Sequence, residues 1–296
     1  MPPLVSVIIA TYNRSNVLPF SIGSVLQQTL GDFELLVVGD GCTDDSAAVV
    51  QAIADPRVHW FNLPNNSGHQ SEPNNEGLRL AKGKYIAYLG HDDLWLPHHL
   101  KSLVEEMEKG ADLAYGLTLM LPSKLLERQL FPFQAEYSHG MWIPPSSMLH
   151  KKSVTDCVGG WRHYQELVQH PEAELWMRAG QANYKFACSG RLTAIKFPAG
   201  KRKDVYKTRD CHEQTAWFQR IQEEENFERT ELVKTLFTTT QALCQAFATK
   251  PYRVLWRELA QETRSRLKQR LFPTLPKKGA SVETMRKYKG LKPKSR

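Results

Sequence analysis

Three aspartates stand just past short apolar runs. Asp92 and Asp93 follow Tyr85-Ile86-Ala87-Tyr88-Leu89-Gly90-His91, and Asp40 follows Leu35-Leu36-Val37-Val38-Gly39. Such runs read as buried parallel strands, and open α/β sheets bind ligands at the carboxyl ends of those strands. A carboxylate there can hold a hard cation such as Mg²⁺ or Mn²⁺, and the cation can bridge a diphosphate. Asp92 is the candidate for that role, while Asp93 suits a helix cap. His91 either joins the metal shell or only lines the cleft. Asp40 can accept an N–H from a base, and Gly41 lets the backbone come close. Thr11-Tyr12-Asn13-Arg14 closes an earlier run. There Tyr12 can stack on a base and Thr11 and Asn13 can hydrogen-bond it; the same residues also suit a turn capped by Asn13 and Ser15.

These residues need strands and helices to hold them. Val5–Ala10, Leu35–Val38, Val58–Phe61, Tyr85–Leu89 and Asp112–Leu119 read as strands. Between them lie helical patterns: a helix capped by Ser15 with Leu18, Ile22, Val25 and Leu26 on one face, one over Ala47–Ile53 capped by Thr43 and Asp44, one near Glu76–Ala81, and one after Pro97 carrying Leu100, Leu103, Val104 and Met107. Continuous apolar strands alternating with amphipathic helices predict an α/β fold, a mostly parallel sheet covered by helices. The regularity stops after Met120. Pro144–Leu149 looks like a loop entering a strand, Glu172–Ala179 like a short helix. From His212 the chain turns helical, with Leu232, Val233, Leu236, Leu243 and Phe247 in one stripe and a second helix after Pro251.

The charge is uneven. Residues 263–296 hold twelve Lys or Arg against one acid, Glu283, which leaves the remainder of this +8 chain slightly acidic. The basic character belongs to the tail, so no nucleic-acid partner is expected for the body. The tail itself suits a solvated end, an anionic-lipid contact or a partner contact. The five cysteines are scattered without a CxxC pair, which argues against a zinc site and for reduced thiols. Neither a signal-peptide pattern nor an 18-residue apolar span is present.

Taken together, the strand-end words resemble glycosyltransferase family 2, which has the GT-A fold. The resemblance rests on Ala10-Thr11-Tyr12-Asn13-Arg14, Ser24-Val25-Leu26-Gln27-Gln28, Val37-Val38-Gly39-Asp40-Gly41-Cys42-Thr43-Asp44-Asp45-Ser46 and Gly83-Lys84-Tyr85-Ile86-Ala87-Tyr88-Leu89-Gly90-His91-Asp92-Asp93, in that order. It covers roughly residues 4–120, with a looser match to about residue 180. Two acids usual in the family are missing, where Gly39 and Gly90 stand, and Asn74-Asn75 replaces an R-N pair. The resemblance implies nucleotide binding by Thr11, Tyr12, Asn13, Arg14, Asp40 and Asn75, and metal binding by Asp92 with His91. It also places the general base just before Glu174-Leu175-Trp176-Met177-Arg178, on Glu172. Read on its own, Glu172 is equally an acid favouring the N-terminus of a helix, and His170 is an alternative base.

The expectation is therefore a GT-A-like domain over 1–210, with 1–120 for the nucleotide-sugar and 121–210 for the acceptor. A helical extension follows over 211–272, then a basic disordered tail over 273–296. The implied function is an inverting, Mn²⁺- or Mg²⁺-assisted transfer of a sugar from a UDP- or dTDP-linked donor to a saccharide or lipid-linked acceptor. The implied location is cytoplasmic, with the tail touching the membrane. Two other classes remain: a catalytically silent nucleotide-sugar-binding module, and a sugar nucleotidyltransferase, whose Gly-rich basic loop is absent from Thr11–Asn16. Among weaker signals, His98-His99 reads as an exposed first helical turn. Lys201-Arg202-Lys203 with Tyr206 reads as a phosphate clamp or a solvated loop, and His212-Glu213-Gln214 with Trp217 as a lid or a helix start.

Overall fold

The computed structural model describes residues 2–122, 128–132, 136–198, 200, 202–249 and 278–291. Its first half is built of β1 (Val5–Thr11), α1 (Leu18–Leu26), β2 (Phe33–Gly39), α2 (Ser46–Gln51), β3 (Val58–Asn62), α3 (Ser71–Leu80) and β4 (Tyr85–Tyr88). Strands β3, β2, β1 and β4 lie side by side in parallel, in that order. The order turns back at β1, so β1 and β4 diverge at a topological switch point, where α/β sheets bind their ligands. Alternation along β1 serves two cores at once. Val5, Val7 and Ile9 face Leu18, Ile22 and Val25 of α1, while Ile8 joins Leu36, Ile86 and Tyr88 on the other face.

Beyond β4 come β5 (Leu94–Trp95), α4 (His99–Glu108), β6 (Leu113–Met120), β7 (Gln129–Phe131), β8 (Met148–Lys151), α5 (Lys152–Val158), α6 (Pro171–Gln181) and β9 (Phe186–Lys196). Strand β8 inserts antiparallel between β4 and β6, β9 joins β6 in parallel, and β5 and β7 run antiparallel to their neighbours. Strands β1, β2, β3, β4, β6 and β9 thus share one direction, and the sheet is the mostly parallel one expected. The chain continues through α7 (Val205–Thr208), α8 (His212–Glu223), α9 (Phe227–Thr249) and α10 (Ala280–Tyr288). A third apolar cluster joins β5, β6 and β9 to Trp217, Ile221 and Phe227 of α8 and α9.

Several local expectations are corrected. Helix α1 begins at Leu18 without a side-chain cap, because the Ser15 hydroxyl is taken by Asp45. His99 is fully buried and stacks on Trp95 at 4.0 Å, so the His98-His99 turn is not exposed. The stripe on α9 splits: Leu232 packs on the third cluster, while Val233 and Leu236 are exposed. The proposed helix after Pro251 lies outside the described residues. The end of the chain was expected to be disordered, yet Ala280–Tyr288 is helical and docked. Its Val282 is buried, Gly279 N–H donates to Leu167 O at 2.7 Å, and Tyr164 Oη donates to Glu283 at 2.7 Å. Composition concealed a short apolar pair, Val282 and Met285, at helical spacing. Among the described residues, no helix is long and apolar enough to cross a membrane.

His150 sits in the centre of the sheet, between Ile86 of β4 and Leu113 of β6, with its ring against Tyr88. Burial pushes its pKa down to about 4. The folded protein therefore refuses a proton that the unfolded chain accepts near pH 6.5. Its effect on stability is absent above that pH and grows unfavourable as the pH falls towards 4. By linkage this costs about 2 kcal/mol at pH 5. Chemical denaturation at pH 7.5 and pH 5 should show a fall in stability that is smaller by about that amount in His150→Phe. Equal falls in both proteins would remove His150 from the acid response.

Candidate active site

The carboxyl ends of β1, β2 and β4 open on a cavity of about 720 Å³, within the range of small-molecule sites. Thr11 and Tyr12 enter it from β1, Asp40 from β2, and His91 and Asp92 from the turn after β4. The opposite wall carries Gln70, Trp142, Glu172, Lys196, Tyr206 and Lys289. The cavity therefore collects these groups from nine separate stretches of chain.

At the β1 side, Tyr12 faces Tyr206, with ring centroids 6.4 Å apart. The Tyr206 ring also meets His91 edge-on and lies 5.4 Å from the Arg14 guanidinium. The buried Thr11 Oγ1 has no hydrogen-bond partner among the described residues. Asn13 and Arg14 do not line the cavity but fix its walls. Asn13 Oδ1 accepts from Thr43 N–H at 2.8 Å, and Arg14 donates to Val205 O at 2.7 Å, next to Tyr206. Arg202 pairs with Glu213 and Lys203 is exposed, so of the described members of the supposed phosphate clamp only Tyr206 reaches the cavity. Lys201 lies outside the described residues.

Asp40 is almost fully buried and organises the loop that follows β3. It accepts from Ser67 N–H at 2.7 Å, Gly68 N–H at 3.0 Å and Asn66 Nδ2 at 2.8 Å. A carboxylate has about four acceptor sites, so Asp40 keeps roughly one for a ligand N–H. Gly41 follows at φ +67°, where a Cβ would strike the backbone of Asn65 and Asn66. At Gly39 a Cβ would come within 2.8 Å of the Trp60 ring and also meet Asn62. An acid at that position would require Asn62 and Trp60 to shift. Asn75 is corrected to a framework residue. Its amide clamps Trp161, donating to the carbonyl at 2.8 Å and accepting the N–H at 2.8 Å.

Asp92 and Asp93 divide their tasks. Asp93 is fully buried, pairs with Lys196 at 2.6 Å and accepts from Phe197 N–H at 3.0 Å and from Ser146 Oγ. Asp92 instead lines the cavity. Burial opposes its ionisation, yet His91 first, and then Lys196, Arg14 and Lys289, overcome that and hold its carboxyl below the usual value. Burial pushes His91 below its ordinary value, which favours the neutral ring. The Ala10 carbonyl, 3.2 Å from His91 Nδ1, can only accept, which assigns the proton to Nδ1 and leaves a lone pair on Nε2. A ligating histidine is commonly oriented in this way by a carbonyl. Among the described residues no cluster of three or more His, Cys, Asp or Glu is arranged to hold a metal. One carboxylate and one imidazole nevertheless suit Mg²⁺ or Mn²⁺ when substrate phosphates complete the shell.

Glu172 lies in the first turn of α6, after Pro171, and is 8% exposed. Trp142 Nε1 donates to its Oε1 at 3.2 Å and Gln70 Nε2 to its Oε2 at 3.4 Å, which aim the carboxylate across the cavity. Glu174 faces elsewhere and is held by Arg162 at 3.0 Å and Arg178 at 2.8 Å. His170 also lines the cavity. Residues 212–223 form helix α8 rather than a lid: Trp217 is in the core, and Gln214 Nε2 donates to Asp92 O at 3.4 Å. Lys196, Trp142, Arg286 and Lys289 were missed from sequence. Only the last two carried a signal, the Val282–Met285 spacing that marks their helix.

This fold has solved counterparts. It is similar to the crystal structure of S. aureus TarS 1-349 in complex with UDP-GlcNAc, with a TM-score of 0.56 at 19% identity over 67% of this chain and 58% of that one. In sequence it is 39% identical over 106 residues to an uncharacterized glycosyltransferase of Rickettsia bellii, covering 36% of this chain and 15% of that protein. It is 34% identical over 106 residues to the UDP-Glc:alpha-D-GlcNAc-diphosphoundecaprenol beta-1,3-glucosyltransferase WfgD of Escherichia coli, covering 36% of this chain and 42% of WfgD. The chain thus spans less than half the length of both curated relatives. The family model of glycosyl transferase family 2 matches residues 6–227, most of the chain and every strand end that lines the cavity, and the protein belongs to that family.

Proposed function

We propose that this protein moves a sugar from a nucleoside diphospho-sugar, UDP- or dTDP-linked, to the hydroxyl of a saccharide or lipid-linked saccharide by one inverting displacement. The observation that carries this reading is the opening of two carboxylates, Asp92 and Glu172, into one cavity that also holds an aromatic pair. Tyr12 takes the base, and Thr11 Oγ1 and the remaining acceptor site of Asp40 hydrogen-bond it. Asp92 and His91 would hold a Mn²⁺ or Mg²⁺, which would supply positive charge to the departing diphosphate. Glu172 accepts the acceptor's proton as its oxygen bonds to the anomeric carbon and the nucleoside diphosphate leaves. Trp142 and Gln70 keep that carboxylate oriented. The lipid-linked substrate in WfgD's name supports a similar acceptor and a role in polysaccharide assembly. The basic residues outside the described segments would then meet the anionic membrane.

Glu172→Gln should lower transfer by about 10²-fold or more while leaving donor affinity unchanged, since a positioned base contributes at least that much. Glu174→Gln should keep transfer and lose stability instead, because its carboxylate serves two arginines. Transfer assays beside donor titrations check both variants and His170→Ala. Near-normal transfer by Glu172→Gln would move the base elsewhere.

Transfer should also stop in excess EDTA and return with Mn²⁺ or Mg²⁺. Asp92→Asn, which keeps a carbonyl oxygen but loses the charge, should weaken metal-supported turnover by about 10²-fold. Full turnover in EDTA would leave the diphosphate charge to the protein's own cations. Absence of donor turnover under any condition would favour the silent binding module.

A further inference from the structure

Helix α10 lines the cavity and is tied to two other parts of its wall. On one side Arg286 donates to Gly68 O, in the loop that Asp40 organises. On the other, Asp204 N–H donates to Tyr288 O at 2.9 Å and Tyr206 N–H to Lys289 O at 3.3 Å, beside the aromatic pair. Gly279 and Glu283 fasten its start to Leu167 and Tyr164. The helix ends at Tyr288 with Lys289 as its C-cap, and Gly290 follows at φ +87°, a left-handed stop that glycine adopts freely. That stop fixes where Lys289 leaves the helix.

Met285 and Lys289 face inward and line the cavity. Burial pushes the Lys289 ammonium below its ordinary range, helped by Lys196 and Arg286, while Asp92 and Glu172 favour its charge, and among the described residues it forms no ion pair. Lys196, the other lysine of the cavity, is already committed to Asp93 at 2.6 Å. A half-buried cation without a counter-ion in a confined cavity calls for an anion from outside. Its place narrows the choice. Its carbonyl accepts from Tyr206 N–H at 3.3 Å, beside the Tyr12–Tyr206 pair where a base would stack, and its ammonium feels the charges of Asp92 and Glu172, where the sugar reacts, which puts it in the interval from one to the other. In a nucleoside diphospho-sugar that interval is occupied by the diphosphate.

We propose that Lys289, delivered by the C-terminal helix α10, binds the diphosphate of the nucleotide donor, so that the end of the chain is part of the donor site. This rests on the donor reading above. It gives the basic end of the protein a task inside the cleft. It also couples donor binding to docking of α10, since the same backbone stretch carries Lys289 and the bond to Tyr206.

The test is calorimetric titration of the full chain with UDP, dTDP and GDP and with their nucleosides, each in Mn²⁺ and in EDTA. Lys289→Met should weaken binding of the preferred diphosphate by about tenfold or more, the worth of a charged hydrogen bond, and leave nucleoside binding unchanged. Lys289→Arg should restore it, and Lys287→Met, on the exposed face, should behave as the unaltered protein. Lys289→Gln serves if the Met variant does not fold. Wild-type-like diphosphate binding by Lys289→Met, or equal loss of nucleoside and diphosphate, overturns the proposal and leaves the donor reading standing. Failure of the unaltered protein to bind any of the nucleotides overturns both.

Discussion

The buried carboxylate of Asp93 is the fixed point of this structure. It has no exposure, and an ionised group in that position persists only when its acceptor sites are filled. Lys196, Ser146 and the N–H of Phe197 fill them. These partners come from the end of β9 and from the short 3-10 turn Pro145–Ser147 that leads into β8. One charge therefore joins the parallel half of the sheet to its antiparallel insertion. Ser146 passes the connection on: its hydroxyl also accepts from Gly90 N–H at 3.1 Å, and its carbonyl accepts from Trp95 Nε1 at 2.6 Å. Asp92, one residue away, inherits a backbone held on both sides and turns to the cavity.

That arrangement sets the electrostatics of the cleft. Lys196 is spent on Asp93 but stays close enough to favour ionised Asp92. Asp92, Glu172 and Lys289 also line the cavity and form no ion pair with one another among the described residues. Such separated charges suit a polar ligand that links them better than they suit a collapsed, self-paired cleft. The same low-dielectric walls strengthen whatever hydrogen bonds a ligand makes.

Much of this was legible in the chain, for a physical reason. A strand buried on both faces is mostly apolar, so β1, β2 and β4 announce themselves, and a polar residue at their carboxyl ends marks the cleft. Thr11, Tyr12, Asp40, His91, Asp92 and Glu172 all line the cavity. What sequence could not supply was partnership over distance. Asn75 matches a family word but spends both ends of its amide on Trp161. Strand β9 hid because Ser189-Gly190 interrupts its apolar run, and it pairs with β6 across a register shift. His99 looked like a surface residue because nothing local shows that Trp95 covers it. Helix α10 hid under the charge of the tail, since composition averages over the two inward residues that dock it.

The departures from the family words follow from the same packing. A side chain at Gly39 would run into Trp60 and Asn62, and Asn62 is needed where it is: it accepts from Cys42 N–H at 2.8 Å and shapes the turn after β2. At Gly90 a Cβ would lie 2.6 Å from Asp93 Oδ2, so an acid there would press on the one buried carboxylate that the sheet depends on. Two carboxylates at that spacing also repel, and one would take up a proton. Glycine at 90 thus goes with the Asp93–Lys196 pair. Restoring an acid at Gly90 alone would disturb Asp93 before it could serve a ligand, so the missing acid and the buried ion pair are two sides of one local solution.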